Sequence, residues 1–549
     1  MQISLSPKTK RALSLTASLA TTTLTASALP QTLQAADQPN ILLINVDDQL
    51  YSRLGAYGST EHYSPNIDRL ANEGIKFTRA HVPSATCSPS RYALLSGRQP
   101  GRCEFPQYLA KYPHGQQGMV INWLSSLENN NLNIQSTLQK AGYYTGIVGK
   151  WHVGDHRIDE REVWATLYEN YPQNADPAID PQVNAKMRHN HAKLASLIKT
   201  YGFDYADALY DANTWELRAD VMNIHNYDWT VDRALNFIDN QSNKKPFFLY
   251  FAPTLLHGPN WPDANLKADS RYTSAGFYPD GFDVLPSRQE ILDLAAKHGV
   301  NEQEAATTWL DLGIGALLTK LEDKGLLDNT IIIYTADQGL GNSKATLYEL
   351  GIHVPLIIRY PKLIKPNSTN DQLVQSLDLA PTLYELSGAQ LPSNYQLDGQ
   401  SLVQFFKGDN TPIHNYLFSE FGYGRAVVTK EWKYIALRYP PHIQTQINRK
   451  IPFVYGHGVA GNTQYRRPFL GEHSNLGAWA SNPKSNPHYF DEDQLYNYEQ
   501  DPGEDTNLYD QYPEVAQQMR QYLTEALRQF PTRPFGEFYD QYTMLKEAN

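Results

Sequence analysis

At 549 residues, with 41% of them hydrophobic, the chain is long enough for a large globular domain with a smaller companion. A formal net charge of -11 without any long Lys/Arg run argues against nucleic acid or an anionic membrane as a bulk partner. Any anionic ligand must therefore be gripped by a few local cations.

Residues 1–36 form a separate kind of sequence. Lys8, Lys10 and Arg11 precede a run of Ala, Leu, Ser and Thr that ends in T-L-Q-A-A-D. This pattern is expected of a removable export signal, which would place the mature chain in the periplasm or outside the cell. No later apolar run approaches the ~18 residues of a membrane span. The chain has two cysteines, Cys87 and Cys103, and in an oxidising compartment a disulfide between them is the plain reading.

Four apolar runs are predicted as buried strands, each leading into polar residues: Asn40 to Val46 before Asp47 and Asp48, Tyr144 to Val148 before Lys150 and His152, Pro246 to Ala252 before His257, and Thr330 to Thr335 before Asp337 and Gln338. Helices are expected between them, over Pro65 to Glu73 and Glu302 to Lys324. The stretches 155–200 and 258–300 lack clear periodicity and read as insertions around a pocket. Short apolar strands alternating with helices imply an α/β fold, a large mostly parallel sheet sandwiched by helices over residues 37–402. Beyond residue 402 the runs shorten and alternate, then give way to a closing helix from about Pro513 to Phe530, so residues 403–549 are expected to form a smaller α+β domain with an antiparallel sheet.

Ligands of open α/β sheets bind beyond the carboxyl ends of the strands, so the four polar tips are expected to share one pocket. Asp47, Asp48, Asp337 and the Gln338 carbonyl would make an all-oxygen cluster suited to Ca2+ or Mg2+. Arg91, Lys150 and Lys344 are the candidate cations, with His152 and His257 beside them. Cys87 precedes S-P-S-R-Y-A-L-L, a loop entering a helix with Pro in its first turn, where the helix N-terminus favours an anion.

C-S-P-S-R followed by S-G-R (Cys87 to Arg98) resembles the signature of the type I, formylglycine-dependent sulfatases of the alkaline phosphatase superfamily. The second signature of that family is matched by G-Y-Y-T-G-I-V-G-K-W-H (Gly142 to His152), and N-V-D-D, the F-F-L-Y-F-A-P-T-L-L-H-G-P run, A-D-Q-G and D-Q-L-Y-N-Y-E-Q-D-P-G-E-D-T-N-L follow in the family's order. The resemblance implies that a maturation enzyme oxidises Cys87 to formylglycine. Asp47, Asp48, residue 87, Asp337 and Gln338 would hold the divalent cation, Gln338 standing where the family usually has Asn or His. It further implies that Arg91 and Lys150 hold the formylglycine and sulfate charge, that His152 is the base for the second hydroxyl of the hydrated aldehyde, and that His257 and Lys344 face the leaving group. Cys103 lies outside the signature.

Between Tyr439 and Tyr489, His442, Arg449, His457, Arg466, Arg467 and His473 stand among aromatics and glycines, as a surface loop or as a substrate wall. Aromatic faces with Arg and His suit sugar rings bearing anionic groups, which points to a sulfated carbohydrate, an oligosaccharide from a sulfated polysaccharide. A phosphodiester or phosphonate ester hydrolase on the same scaffold, and a silent glycan-binding relative, remain the alternatives.

Overall fold

The computed structural model describes residues 38–115, 121, 124–154, 168–242, 244–340, 344–448 and 486–538. Its centre is an eight-stranded mixed sheet built from β1 (Asn40–Val46), β2 (Ile75–Phe77), β3 (Tyr144–Lys150), β4 (Tyr205–Tyr210), β5 (Phe247–Ala252), β6 (Thr330–Ala336), β7 (Leu356–Arg359) and β8 (Ser368–Asn370). The spatial order is β8-β2-β7-β6-β1-β5-β3-β4. The β6-β1-β5-β3-β4 stretch is parallel throughout, while β7 runs antiparallel to both of its neighbours.

Both faces of β1 are covered, which is why its sequence is a continuous apolar run. Ile41 and Leu43 enter one core with Phe248, Tyr250, Ile331 and Ile333; Leu42, Ile44 and Val46 enter the other with Leu249, Phe251, Ile332 and Tyr334. The principal helices are α1 (Pro65–Glu73), α2 (Cys87–Ser96), α3 (Pro181–Lys199), α4 (Tyr227–Asp239), α5 (Ala305–Asp323) and α6 (Leu379–Ser387). The first face takes α2, α3 and α6; the second takes α1, α4 and α5. Among the described residues no helix is long and apolar enough to cross a membrane.

Strands β9 (Leu417–Phe421), β10 (Gly424–Val428), β11 (Lys433–Leu437) and β12 (Asp493–Tyr496) form a separate antiparallel sheet. Alternation decides its two contacts. Ala426 and Val428 pack toward the large domain with Leu347, Tyr348 and Ile352, while Val427 and Tyr434 pack against Met519 and Leu523 of the closing helix α7 (Pro513–Leu527).

The structure departs from the sequence-based expectations in three places. The region read as an aperiodic insertion contains the 19-residue α3, entered by the Asp180 cap followed by Pro181. The 258–300 stretch holds a helix over Arg288–Lys297, entered by a Ser287/Glu290 capping box. No disulfide joins the cysteines: both are free and buried, the Cys103 thiol donating to Ser126 O at 3.4 Å while Cys87 faces a different set of groups.

Candidate active site

The parallel strands end on the same side, and their tips converge. Asp47 and Asp48 follow β1, Asp337 and Gln338 follow β6, and Lys150 closes β3. The pairing of β3 with β4 shifts register between Val148 and Lys150. Gly149 sits at that shift with φ +107°, and a Cβ there would stand 2.0 Å from Ala252 O on β5. Only glycine allows this approach, and the kink re-aims Lys150. Asp48 (φ 61°) and His152 (φ 56°) also adopt left-handed backbone, a costly conformation for side-chain-bearing residues that is often found at functional sites.

Helix α2 delivers the sulfur. Cys87 is its first residue, and all ten residues through Ser96 are buried, so the helix runs through the core rather than along the surface. The Cys87 thiol donates to Asp47 Oδ1 at 3.5 Å and receives Gln338 Nε2 at 3.2 Å and Lys150 Nζ at 3.5 Å. One turn on, Arg91 donates through Nε (3.0 Å) and Nη2 (2.7 Å) to Asp337 Oδ2, and through Nη1 to Lys150 O and the Tyr250 hydroxyl.

Each acid has a basic partner. Lys150 Nζ donates to Asp47 Oδ2 at 2.6 Å, and Lys344 Nζ donates to Asp48 Oδ2 at 2.6 Å. His257 Nε2 stands 3.8 Å from Asp48 Oδ2. Burial alone would raise Asp47, but Lys150, His257 and Arg91 override it and hold the carboxyl well below its ordinary range. Burial, reinforced by Asp47, pushes Asp337 up to about 7. The Cys87 thiol is pushed up to about 12, chiefly by burial, and His257 down to about 4 by burial and the Lys344 charge.

These residues fit a hard divalent cation. Ligand atoms of Asp47, Asp48, Cys87 and His257 lie within 4.8 Å of one another. Gln338 Oε1 is buried without a hydrogen-bond partner among the described residues while Nε2 faces Asp48 Oδ1 and the Cys87 sulfur; a half-turn of the amide puts the carbonyl among the ligand atoms, where a cation would satisfy it. Asp337 is at present committed to Arg91 and to the Asp48 backbone N–H (3.2 Å).

The structure thus brings together Asp47, Asp48, Cys87, Arg91, Lys150, His257, Asp337, Gln338 and Lys344. His152 lies two residues past Lys150, buried, with its backbone N–H donating to Asp211 O at 2.8 Å. Arg449, His457, Arg466, Arg467 and His473 lie outside the described residues, as does the His442 side chain, although its backbone belongs to a helix over Pro441–Asn448.

Four contributors escaped the sequence reading. Asn213 accepts from Lys150 Nζ at 2.9 Å. Tyr250, supported by Asn45 at 2.9 Å, holds Arg91. His225 bonds Thr254 Oγ1 (2.7 Å) and His257 O (3.0 Å), fixing the loop that carries His257. Asn45 and Tyr250 had a signal, since each is a polar interruption in an otherwise apolar strand; Asn213 and His225 had none.

A family model described as Sulfatase matches residues 39–389, and one described as N-sulphoglucosamine sulphohydrolase, C-terminal, matches residues 342–442. The chain is similar to arylsulfatase A of Bos taurus, 29% identical over 519 residues covering 89% of this chain and 87% of the relative. It is also similar to the N-acetylglucosamine-6-O-sulfatase of Bacteroides thetaiotaomicron, 28% identical over 456 residues covering 69% and 73%. A solved structure from work on glycosaminoglycan metabolism by Bacteroides thetaiotaomicron shares the fold, with a TM-score of 0.58 at 21% identity over 89% of this chain and 99% of the other.

Proposed function

The chain belongs to the sulfatase family and is a sulfuric ester hydrolase, and from that premise we propose that it desulfates a sulfated carbohydrate, using formylglycine made from Cys87 and a divalent cation, Ca2+ or Mg2+. Asp47, Asp48, residue 87, Asp337 and Gln338 would hold the cation. Export to the periplasm or beyond and modification by a formylglycine-generating enzyme belong to the same proposal.

The observation that carries it is the position of Cys87. Its side chain is buried at the first residue of α2, where Asp47, Lys150 and Gln338 converge on the sulfur. Rebuilt as a hydrated aldehyde, the residue supplies two hydroxyls on one carbon, one to displace the alcohol at sulfur and one whose deprotonation releases sulfate and restores the aldehyde. The cation, when bound, supplies Lewis acidity toward that hydroxyl and the sulfate oxygens.

The chain's own residues do the rest. Three carboxylates, Asp47, Asp48 and Asp337, face three cations, Arg91, Lys150 and Lys344. Acids do not outnumber bases in this set, so a divalent ion leaves the pocket net positive, as an anionic sulfate requires. Arg91 and Lys150 hold charge on the floor of the pocket, where burial strengthens their electrostatics. Lys344 stays protonated, since Asp48 and its neighbours overcome the burial that would lower it, and its ammonium can stabilise the departing oxygen. His257 faces the same oxygen: its Nδ1–H donates to Gly258 O at 2.9 Å, so Nε2, the ring nitrogen toward Asp48, gives a proton to the leaving group only from the imidazolium form. His152 is assigned as base for the second hydroxyl; a His152→Ala variant that slows turnover without trapping sulfated enzyme would end that assignment.

The carbohydrate part of the proposal draws support from the N-acetylglucosamine-6-O-sulfatase relative. Its test is a panel of sulfated mono- and oligosaccharides read by mass spectrometry, run beside nitrophenyl sulfate and bis-nitrophenyl phosphate. Loss of sulfate from at least one saccharide is expected. Faster cleavage of the phosphodiester than of any sulfate ester would overturn the reading.

A further inference from the structure

The mouth of the pocket differs from its floor. Side-chain exposure is 0–2% for Arg91, Lys150, Asp47 and Asp48, but 12% for His257 and 17% for Lys344. The pocket therefore opens past those two residues, and whatever carries the sulfate must leave on that side.

An aromatic side chain stands there. The indole of Trp215 lies against the His257 ring, centroids 5.2 Å apart and planes inclined by 43°, and 39% of the residue remains in water. Trp215 belongs to a short 3-10 turn over Thr214–Leu217. The residue before the turn, Asn213, accepts from Lys150 Nζ on the pocket floor and donates to Glu216 Oε1 at 3.0 Å. The turn is thus anchored at its inner end to the sulfate side of the pocket and presents its tryptophan at the outer end. Trp215 and Trp261 are the two exposed tryptophans among the described residues, and Trp215 is the one that touches a site residue. Singly exposed apolar side chains are ordinary on a protein surface; what sets this indole apart is its contact with His257 at the mouth of the pocket.

We infer that Trp215 is the platform on which the ring of the sulfated sugar rests. A pyranose carries C–H groups on its faces and hydroxyls around its rim, so it is matched by a flat apolar side chain flanked by polar ones, here His257 against the ring and Glu216 beside it in the turn. The inference rests on the carbohydrate reading above and deepens it: the favoured substrate bears its sulfate on or next to a pyranose ring, and the ring, not the sulfate alone, supplies a large share of the binding.

The test uses Trp215→Ala and Trp215→Phe in metal-loaded, matured enzyme. The substrate is the saccharide sulfate that the wild type desulfates fastest in the panel, and inorganic sulfate serves as a competitive inhibitor too small to reach the indole. Trp215→Ala is expected to raise KM about 10-fold or more, Trp215→Phe to recover most of that loss, and inhibition by inorganic sulfate to stay within about 2-fold of wild type. An unchanged KM in Trp215→Ala overturns the inference, as does a parallel weakening of KM and sulfate inhibition, which would mean that the pocket itself had shifted. If the wild type cleaves nitrophenyl sulfate but no saccharide, the carbohydrate reading has failed and takes this inference with it; if saccharides are cleaved and Trp215→Ala is indistinguishable from wild type, only the platform has failed.

Discussion

Replacing Lys150 by methionine separates the charge of this side chain from its bulk. The ammonium is fully buried, 2.6 Å from Asp47 Oδ2, 2.9 Å from Asn213 Oδ1 and 3.5 Å from the Cys87 sulfur. At that separation and an effective dielectric of about 20, the Lys150–Asp47 attraction is about 6 kcal/mol, most of it offset by taking both charges out of water. Breaking such a buried pair from one side costs more than its net worth, about 3–5 kcal/mol, because the remaining charge stays buried and unpaired. Lys150→Met is therefore expected to lower the thermal midpoint clearly in metal-free protein and less in the presence of Ca2+ or Mg2+, which would partly neutralise Asp47. Turnover of nitrophenyl sulfate, assayed well below the melting range, should fall about 100- to 1,000-fold, the usual loss when one buried electrostatic stabiliser is removed. The Asp47→Asn/Lys150→Met double variant removes both charges and should regain much of the metal-free stability, with no recovery of turnover. Turnover of Lys150→Met within a few-fold of wild type, or a double variant less stable than the single one, would refute this reasoning.

Removing divalent ions with a chelator should abolish turnover and lower the thermal midpoint, with both restored by added Ca2+ or Mg2+; full activity after exhaustive chelation contradicts the assigned metal site. His414 lies 3.0 Å from both oxygens of the fully buried Asp378 carboxylate, and although burial opposes its charge, Asp378 more than offsets this and raises its pKa. A raised folded-state value contributes stability that is fully present below the unfolded value of about 6.5 and is lost as pH rises through the folded one. His414→Gln should therefore lower the thermal midpoint most near pH 6, with the gap to wild type narrowing at alkaline pH, and a gap independent of pH would count against the pair. Cys103→Ser should leave turnover unchanged, while Cys87→Ala should abolish it; peptide mapping without reductant should find no Cys87–Cys103 link, and finding one would contradict the separation of the two thiols.

The parts of the fold legible in the sequence are those where one physical requirement dominates. Central parallel strands must bury both faces, so N-I-L-L-I-N-V and T-I-I-I-Y-T read as strands without ambiguity, and both run as expected in β1 and β6. The edge elements β2 and β8 are three residues each, too short for any period to appear. Helix α3 buries Val183, Met187, Leu194 and Ile198 at wide intervals among polar residues, and this thin stripe hid it, although Asp180-Pro181 was a readable start. The helix expected over 302–324 begins instead at Ala305, because residues 301–304 form a turn ahead of it.

The pocket was legible for a topological reason: parallel strands end together, so the residues after β1, β3 and β6 had to meet. The kink that aims Lys150 was written in Gly149, yet its meaning needs the position of Ala252 O on a strand about 100 residues away in sequence. Asn213, His225 and Trp215 reach the site through contacts between distant segments, which no local pattern announces.

The central claim is that residue 87 no longer carries a sulfur atom in the working enzyme. Mass analysis of the tryptic peptide Ala80 to Arg91 from a fully active preparation should find it about 18 Da lighter than encoded, the difference between a cysteine and an aldehyde side chain. The same peptide at its encoded mass, with a thiol that can be alkylated and with turnover undiminished, would contradict the account.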